Sequence, residues 1–297
     1  MIVQRTEARH PAAVGLQDQP PAEVLARLLS AQGAAVDTVA AAIPALVSAA
    51  EEAALKLRGG GRMVYVGAGS SGLMALSDCL ELAGTFGIAP DRTPMLFAGG
   101  AAALLHMTGA VEDDPELAEA DLSRLAPCPA DVLICVSASG STPYTLHVAR
   151  GARESGARIV GVANSQDSAL LKLADIEVLL ETGPEVVAGS TRMAAGTAQK
   201  IALNLLSVLV GLRLGHVHEG YMVNVVADNA KLVDRAARIV AALAGVDRDR
   251  AVAALAEARG AVKQATLIAA GATMDEAQAA ITDHDGHLGP ALAALRR

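Results

Sequence analysis

Two short stretches place glycine and hydroxyl residues where an anion could be held: Gly67-Ala68-Gly69-Ser70-Ser71-Gly72 and Ser137-Ala138-Ser139-Gly140-Ser141-Thr142. Glycine lets backbone N–H groups come close to a ligand, and the start of a helix offers unpaired N–H groups and the positive end of its dipole. Gly69, Ser70 and Ser71 in the first stretch, with Ser137, Ser139, Gly140 and Thr142 in the second, are the candidate phosphate binders. Pro143 follows the second stretch and suits the first turn of a helix. The plainer alternatives are steric need in a tight turn for the first and N-capping by Ser139 or Thr142 for the second. Neither stretch is a G-x-G-x-x-G followed by an acidic ribose partner, so a sugar phosphate fits better than a dinucleotide.

These turns need a sheet to hold them. Met63–Val66 reads as a strand before the first turn and 131–136 as a strand before the second. Further apolar runs at 95–98, 158–163 and 176–180 alternate with helical segments, which implies a parallel sheet with right-handed crossovers. Both turns then open at C-terminal strand ends, where open α/β sheets bind ligands. Ahead of the sheet, residues 1–20 read as an extended arm, 22–33 as a short helix and 36–58 as a second helix that Pro44 bends or divides. The acidic region 101–125 reads as helical with a break at Pro115, and from its neighbours alone Glu112 belongs to a solvated face. A long helix is expected from Ser190 to about Gly215 and another over 222–244. Three short helices are expected in the tail, with Thr273 as an N-cap. The domain reading is an N-terminal arm and helices (1–58), a sugar-phosphate-binding α/β domain (59–245) and a C-terminal helical subdomain (246–297).

Composition excludes several classes. Net charge is -8, which disfavours a nucleic-acid or anionic-membrane surface. Aromatics make up 2% with no Trp, so stacking on bases is not a main device. Cys79, Cys128 and Cys135 form no CxxC and read as reduced, buried apolar residues of a cytoplasmic protein. The N-terminus shows no apolar leader core, and no uninterrupted apolar run suits a membrane span. His216 and His218 read as surface or interface residues, and no metal site is expected.

Together the two turns resemble the halves of the sugar isomerase (SIS) phosphosugar-binding domain. The run from Glu185 to Lys200, with Asn204, Ser207, Met222–Ala227, Asn229 and Lys231, resembles N-acetylmuramic acid 6-phosphate etherases more specifically. So do Thr6-Glu7, Ser139-Gly140, Thr142-Pro143-Tyr144 and, in the tail, Lys263 and Asp275-Glu276. The resemblance implies an α/β fold with an SIS-type parallel five-stranded sheet flanked by helices and a small C-terminal helical subdomain. It implies a cofactor-independent lyase that opens the sugar, removes the C2 proton, expels lactate from C3 and adds water, and a homodimer with its site at or near the interface.

By position Glu81 matches the family's proton donor and Glu112 its second catalytic glutamate. Such chemistry wants carboxylates with raised pKa values, and the apolar neighbours of Glu81 suggest one. Ser71, Ser137, Ser139 and Thr142 match the phosphate hydroxyls; Glu185 either orients the sugar or has a simple loop role; Ser190 and Thr191 lie at an expected helix start where an anion or carbonyl could be held. Lys200 and Lys231 either neutralise ligand charge or lie on helix surfaces, and His106 is a further candidate near Glu112. The family usually has arginine at the positions of Leu73 and Ser141, and Ser-Glu-Cys-Pro-Pro-Thr where this chain reads Leu80–Thr85. A phosphosugar-binding regulatory protein, or an SIS enzyme acting on another sugar phosphate, therefore stays open as an alternative.

Overall fold

The computed structural model describes residues 8–225 and 230–295. Thr6-Glu7, Val226-Ala227 and Asn229 of the resemblance lie outside them. The chain divides into two compact units, Met1–Cys79 with Asp91–Ser207, and Leu80–Pro90 with Val208–Arg297.

In the first unit, helix α1 (Pro21–Arg58) leads to strand β1 (Met63–Gly67) and helix α2 (Gly69–Phe86), whose last turns belong to the second unit. Strand β2 (Met95–Phe97), helix α3 (Gly100–Leu105), a 3-10 turn at Gly109–Glu112 and helix α4 (Pro115–Leu125) follow. Then come β3 (Val132–Ser137), α5 (Pro143–Glu154), β4 (Arg158–Ala163), α6 (Ala169–Leu173), β5 (Ile176–Leu179) and α7 (Ala194–Arg213), the last of which also ends in the second unit. The five strands form one parallel sheet in the order β2-β1-β3-β4-β5. Strand residues alternate between faces. Val64, Val66, Leu133, Cys135 and Ile159 join Tyr144, Val148 and Ala149 of α5 and Ala118 of α4 in one apolar cluster.

The two helices expected over 22–58 are one, and Pro44 lies inside it. Proline in a helix interior costs about 3 kcal/mol. The buried stripe Ala35, Val39, Ala42, Leu46, Ala49, Ala50, Ala53 and Leu57 runs through the proline and offsets that cost by burial. By length and composition alone α1 and α7 could each cross a bilayer; within the chain α1 packs on β1, β3 and β5, and 56% of the most apolar stretch of α7 is buried. Pro115 starts α4 rather than breaking a helix: Asp114 caps it, its Oδ1 accepting from the N–H groups of Glu116 (2.9 Å) and Leu117 (3.2 Å). Cys79 and Cys135 are buried as expected, but Cys128 is exposed in the turn before β3.

The second unit holds a hairpin of β6 (Val217–His218) and β7 (Tyr221–Met222), then α8 (Ala230–Ala244), α9 (Arg248–Glu257), α10 (Val262–Ala269), α11 (Met274–Asp283) and α12 (Leu288–Leu295). The helix expected from 222 begins at Ala230, and the tail carries four helices rather than three. Thr273 does cap α11, in a capping box with Glu276. Its core joins Val223, Ile239, Val240, Leu255, Leu267, Ile268, Ile281 and Leu288. His216, expected at the surface or an interface, is half-buried: its Nδ1 is enclosed, and burial with the Lys263 ammonium pushes its pKa down to about 4. Lys263 donates to the Gly286 carbonyl at 2.8 Å, tying α10 to the loop before α12, and burial lowers its pKa to about 8.

Candidate active site

Both hydroxyl-bearing turns leave the sheet at the C-terminal ends of its strands. Strands β1 and β3 are neighbours, with Val66 opposite Cys135 and Gly67 opposite Val136. In this strand order the chain departs to opposite sides after β1 and β3, and the crevice at such a switch point is where doubly wound sheets take ligands. The turns touch: the Ala138 N–H donates to Ser71 Oγ at 3.2 Å.

The first turn is built by backbone packing. A Cβ on Gly72 would sit 2.7 Å from the Phe97 ring and 2.9 Å from the Gly67 carbonyl carbon, so α2 starts with its backbone pressed on β1. Gly69 has φ +52°, and a Cβ there would collide with Oε1 of Glu112. The glycine is what lets this carboxylate reach the first turn of α2. Glu112 ends the 3-10 turn at Gly109–Glu112 and is half-buried, not on a solvated face. Burial, reinforced by the Asp113 charge, raises its pKa.

The second turn is built by hydroxyl groups. Ser137 Oγ lies 2.7 Å from Thr142 Oγ1 and 3.5 Å from Ser139 Oγ, and accepts from the Gly140 N–H at 3.1 Å. Ser139 Oγ accepts from the N–H (3.2 Å) and hydroxyl (2.9 Å) of Ser141. Thr142 stands at the N-cap of α5 without a side-chain capping bond, so capping does not explain these hydroxyls. Ser137 and Ser71 are buried, while Ser70, Ser139 and Thr142 are partly open.

Other expected residues fall differently. Helix α7 begins at Ala194, not Ser190, because Glu185 caps it: its Oε2 accepts from Ala194 N–H at 3.0 Å and its Oε1 from Ala195 N–H at 2.9 Å. The residue expected to orient the sugar is thus a buried helix cap. Ser190 and Thr191 occupy the turn before α7, their carbonyls accepting from the N–H groups of Met193 (3.1 Å) and Gly196 (2.9 Å). Glu81 is exposed on α2, and the apolar surroundings expected of it are on the other side, where Leu82 is buried. Lys200, Lys231 and His106 are exposed.

Asp78 is a polar residue that sequence reasoning missed. It is buried on α2 and receives Tyr65 Oη (2.6 Å), Asn204 Nδ2 (2.7 Å) and Ser207 Oγ (2.9 Å). Burial raises its pKa against those hydrogen bonds. This explains Asn204 and Ser207 as braces of α2 on α7. The missed signal was an aspartate at helical spacing within the buried stripe Ala75, Cys79 and Leu82. Among the described residues, no group of three or more His, Cys, Asp or Glu is placed to hold a metal ion.

Residues 30–164 match the SIS domain family. Over 284 residues the chain is 45% identical to an N-acetylmuramic acid 6-phosphate etherase of Deinococcus radiodurans, covering 95% of this chain and 93% of that protein. An etherase of the same description from Serratia proteamaculans is 39% identical over 97% of both chains. One from Streptomyces coelicolor is 41% identical over 97% of this chain and 93% of its own length. With turns, sheet order and overall sequence in agreement, the chain belongs to the N-acetylmuramic acid 6-phosphate etherase family.

Proposed function

We propose that this protein is a carbon–oxygen lyase that cleaves the lactyl ether of N-acetylmuramic acid 6-phosphate, giving N-acetylglucosamine 6-phosphate and lactate without a cofactor. The observation that carries the reading is Glu112, a half-buried carboxylate of raised pKa brought against the phosphate-type turn at Gly69. The hydroxyls of Ser70, Ser71, Ser137, Ser139 and Thr142, with the first N–H groups of α2 and α5, hold the phosphate. In the open-chain aldehyde the C2 hydrogen is acidic. Glu112 takes that proton, and its raised pKa makes it a stronger base. Electrons move from the C2–H bond into a C2=C3 bond as the C3–O bond breaks, and lactate leaves with a proton from Glu81. Water then adds at C3, losing a proton to Glu81, and C2 is reprotonated. Glu81 holds its role by resemblance alone.

Lactate release, measured enzymatically for the wild type and Glu112→Gln, tests this; binding of the substrate without lactate would sink it. Leu73 and Ser141, which stand where the family usually carries arginine, favour a second reading in which the sugar phosphate differs; a scan of sugar phosphates for turnover separates the two.

The protein works in amino-sugar recycling in the cytoplasm, a location supported by three free cysteines. It acts as a homodimer with its site at or near the interface. Leu205, Val208 and Leu212 are exposed at helical spacing along α7, and Leu29, Val36 and Ile43 are exposed along α1. Light scattering at micromolar concentration should return twice the mass of one chain.

A further inference from the structure

A cavity of about 120 Å³ opens beside Glu112. Phe97, Ala103, Met107 and Val111 supply an apolar wall, and Thr108 and Glu112 supply polar groups. Phe97 and Ala103 are buried, while Met107 is 49% exposed. Pockets that take a whole small molecule run to about 300–1,000 Å³. This one has room for a single substituent of a few heavy atoms.

Given the etherase reading, on which this step rests, two substituents flank the reacting carbons: the acetamido group on C2 and the lactyl group on C3. The lactyl group ends in a carboxylate. In this cavity that charge would face Glu112, with no Lys or Arg on the wall, and burying an unpaired charge is costly. The acetamido group is neutral and ends in a methyl, which suits the Phe97–Ala103–Val111 wall. Its amide can pair with Thr108 at the polar side. It also hangs from C2, the carbon whose proton Glu112 removes.

We propose that this cavity is the subsite for the C2 acetamido group, with Ala103, Met107 and Val111 as specificity-determining residues. A filled cavity excludes water from Glu112, so the N-acyl group that fits also keeps the base desolvated. Sugar phosphates with a free amine or hydroxyl at C2 leave the cavity wet and are discriminated against.

Calorimetric titration tests this with N-acetylglucosamine 6-phosphate, its N-butanoyl analogue and glucose 6-phosphate, alongside lactate release from N-acetylmuramic acid 6-phosphate. A group in an apolar pocket discriminates by about 10–200-fold. The wild type should therefore prefer the N-acetyl sugar over glucose 6-phosphate by at least about tenfold. Ala103→Leu should erase that preference and leave glucose 6-phosphate binding unchanged. Should that variant fail to fold, Met107→Ala, at a half-open position, should shift preference toward the N-butanoyl analogue. Lactate release with no N-acyl preference in the wild type, or preferences unmoved by folded variants, overturns the subsite alone. A retained preference that the variants move, with no lactate, supports the subsite and counts against the etherase chemistry instead.

Discussion

The turns after β1 and β3 occupy equivalent places in the fold yet are made from different materials. The first relies on absent side chains: Gly72 admits Phe97, and Gly69 admits the Glu112 carboxylate. The second relies on present ones, with Ser137, Ser139, Ser141 and Thr142 holding one another in place. In the proposed mechanism the first turn therefore brings the Glu112 carboxylate to the ligand besides helping to bind it, while the second contributes hydroxyls for binding alone.

Substitutions on the two sides should break apart kinetically. Glu112→Gln is expected to lower kcat by about 10²–10⁴-fold, the usual worth of a general base, with little change in phosphosugar affinity. Gly69→Ala puts a methyl group into the Glu112 carboxylate at a positive φ; displacing the base should cost about 10²-fold in kcat. An alanine there with unchanged kcat would show that Glu112 is not held for chemistry. On the other turn, Ser137→Ala removes a hydroxyl that pairs with Thr142 and Gly140. It should raise KM about tenfold, as expected for one lost hydrogen bond to a charged group, and leave kcat nearly intact.

The smallest effect is on pH dependence. Because burial and Asp113 raise the pKa of Glu112, the base is lost as pH falls, at a pH above that of an ordinary glutamate. Asp113→Asn removes the minor contribution, so the acid limb of kcat/KM should move to lower pH; a limb that moves upward or stays would contradict the assignment.

The sheet, its parallel order of alternation and both turns were legible because short apolar runs followed by Gly/Ser clusters are local signals. The continuity of α1 was not, since Pro44 is a local break overridden by a stripe of buried alanines that only the tertiary structure creates. The hairpin at Val217–Met222 left a weak trace in Glu219-Gly220, both of which adopt positive φ. Glu112 was singled out only by the resemblance, because its acidic neighbours read as solvated; its partner signal was the glycine at 69, meaningful only once the two are seen together. Glu185 stood within the run that resembles the family, and its structural part as the cap of α7 could not be read locally, because the N–H groups it receives lie nine and ten residues further on.

The most direct test follows the C2 hydrogen. When N-acetylmuramic acid 6-phosphate reacts in deuterated water, nuclear magnetic resonance should show lactate appearing with N-acetylglucosamine 6-phosphate that carries deuterium at C2. Both signals should vanish together in Glu112→Gln. Lactate formed with the original C2 hydrogen retained, or C2 exchange undiminished in that variant, would contradict the role of Glu112 as the base.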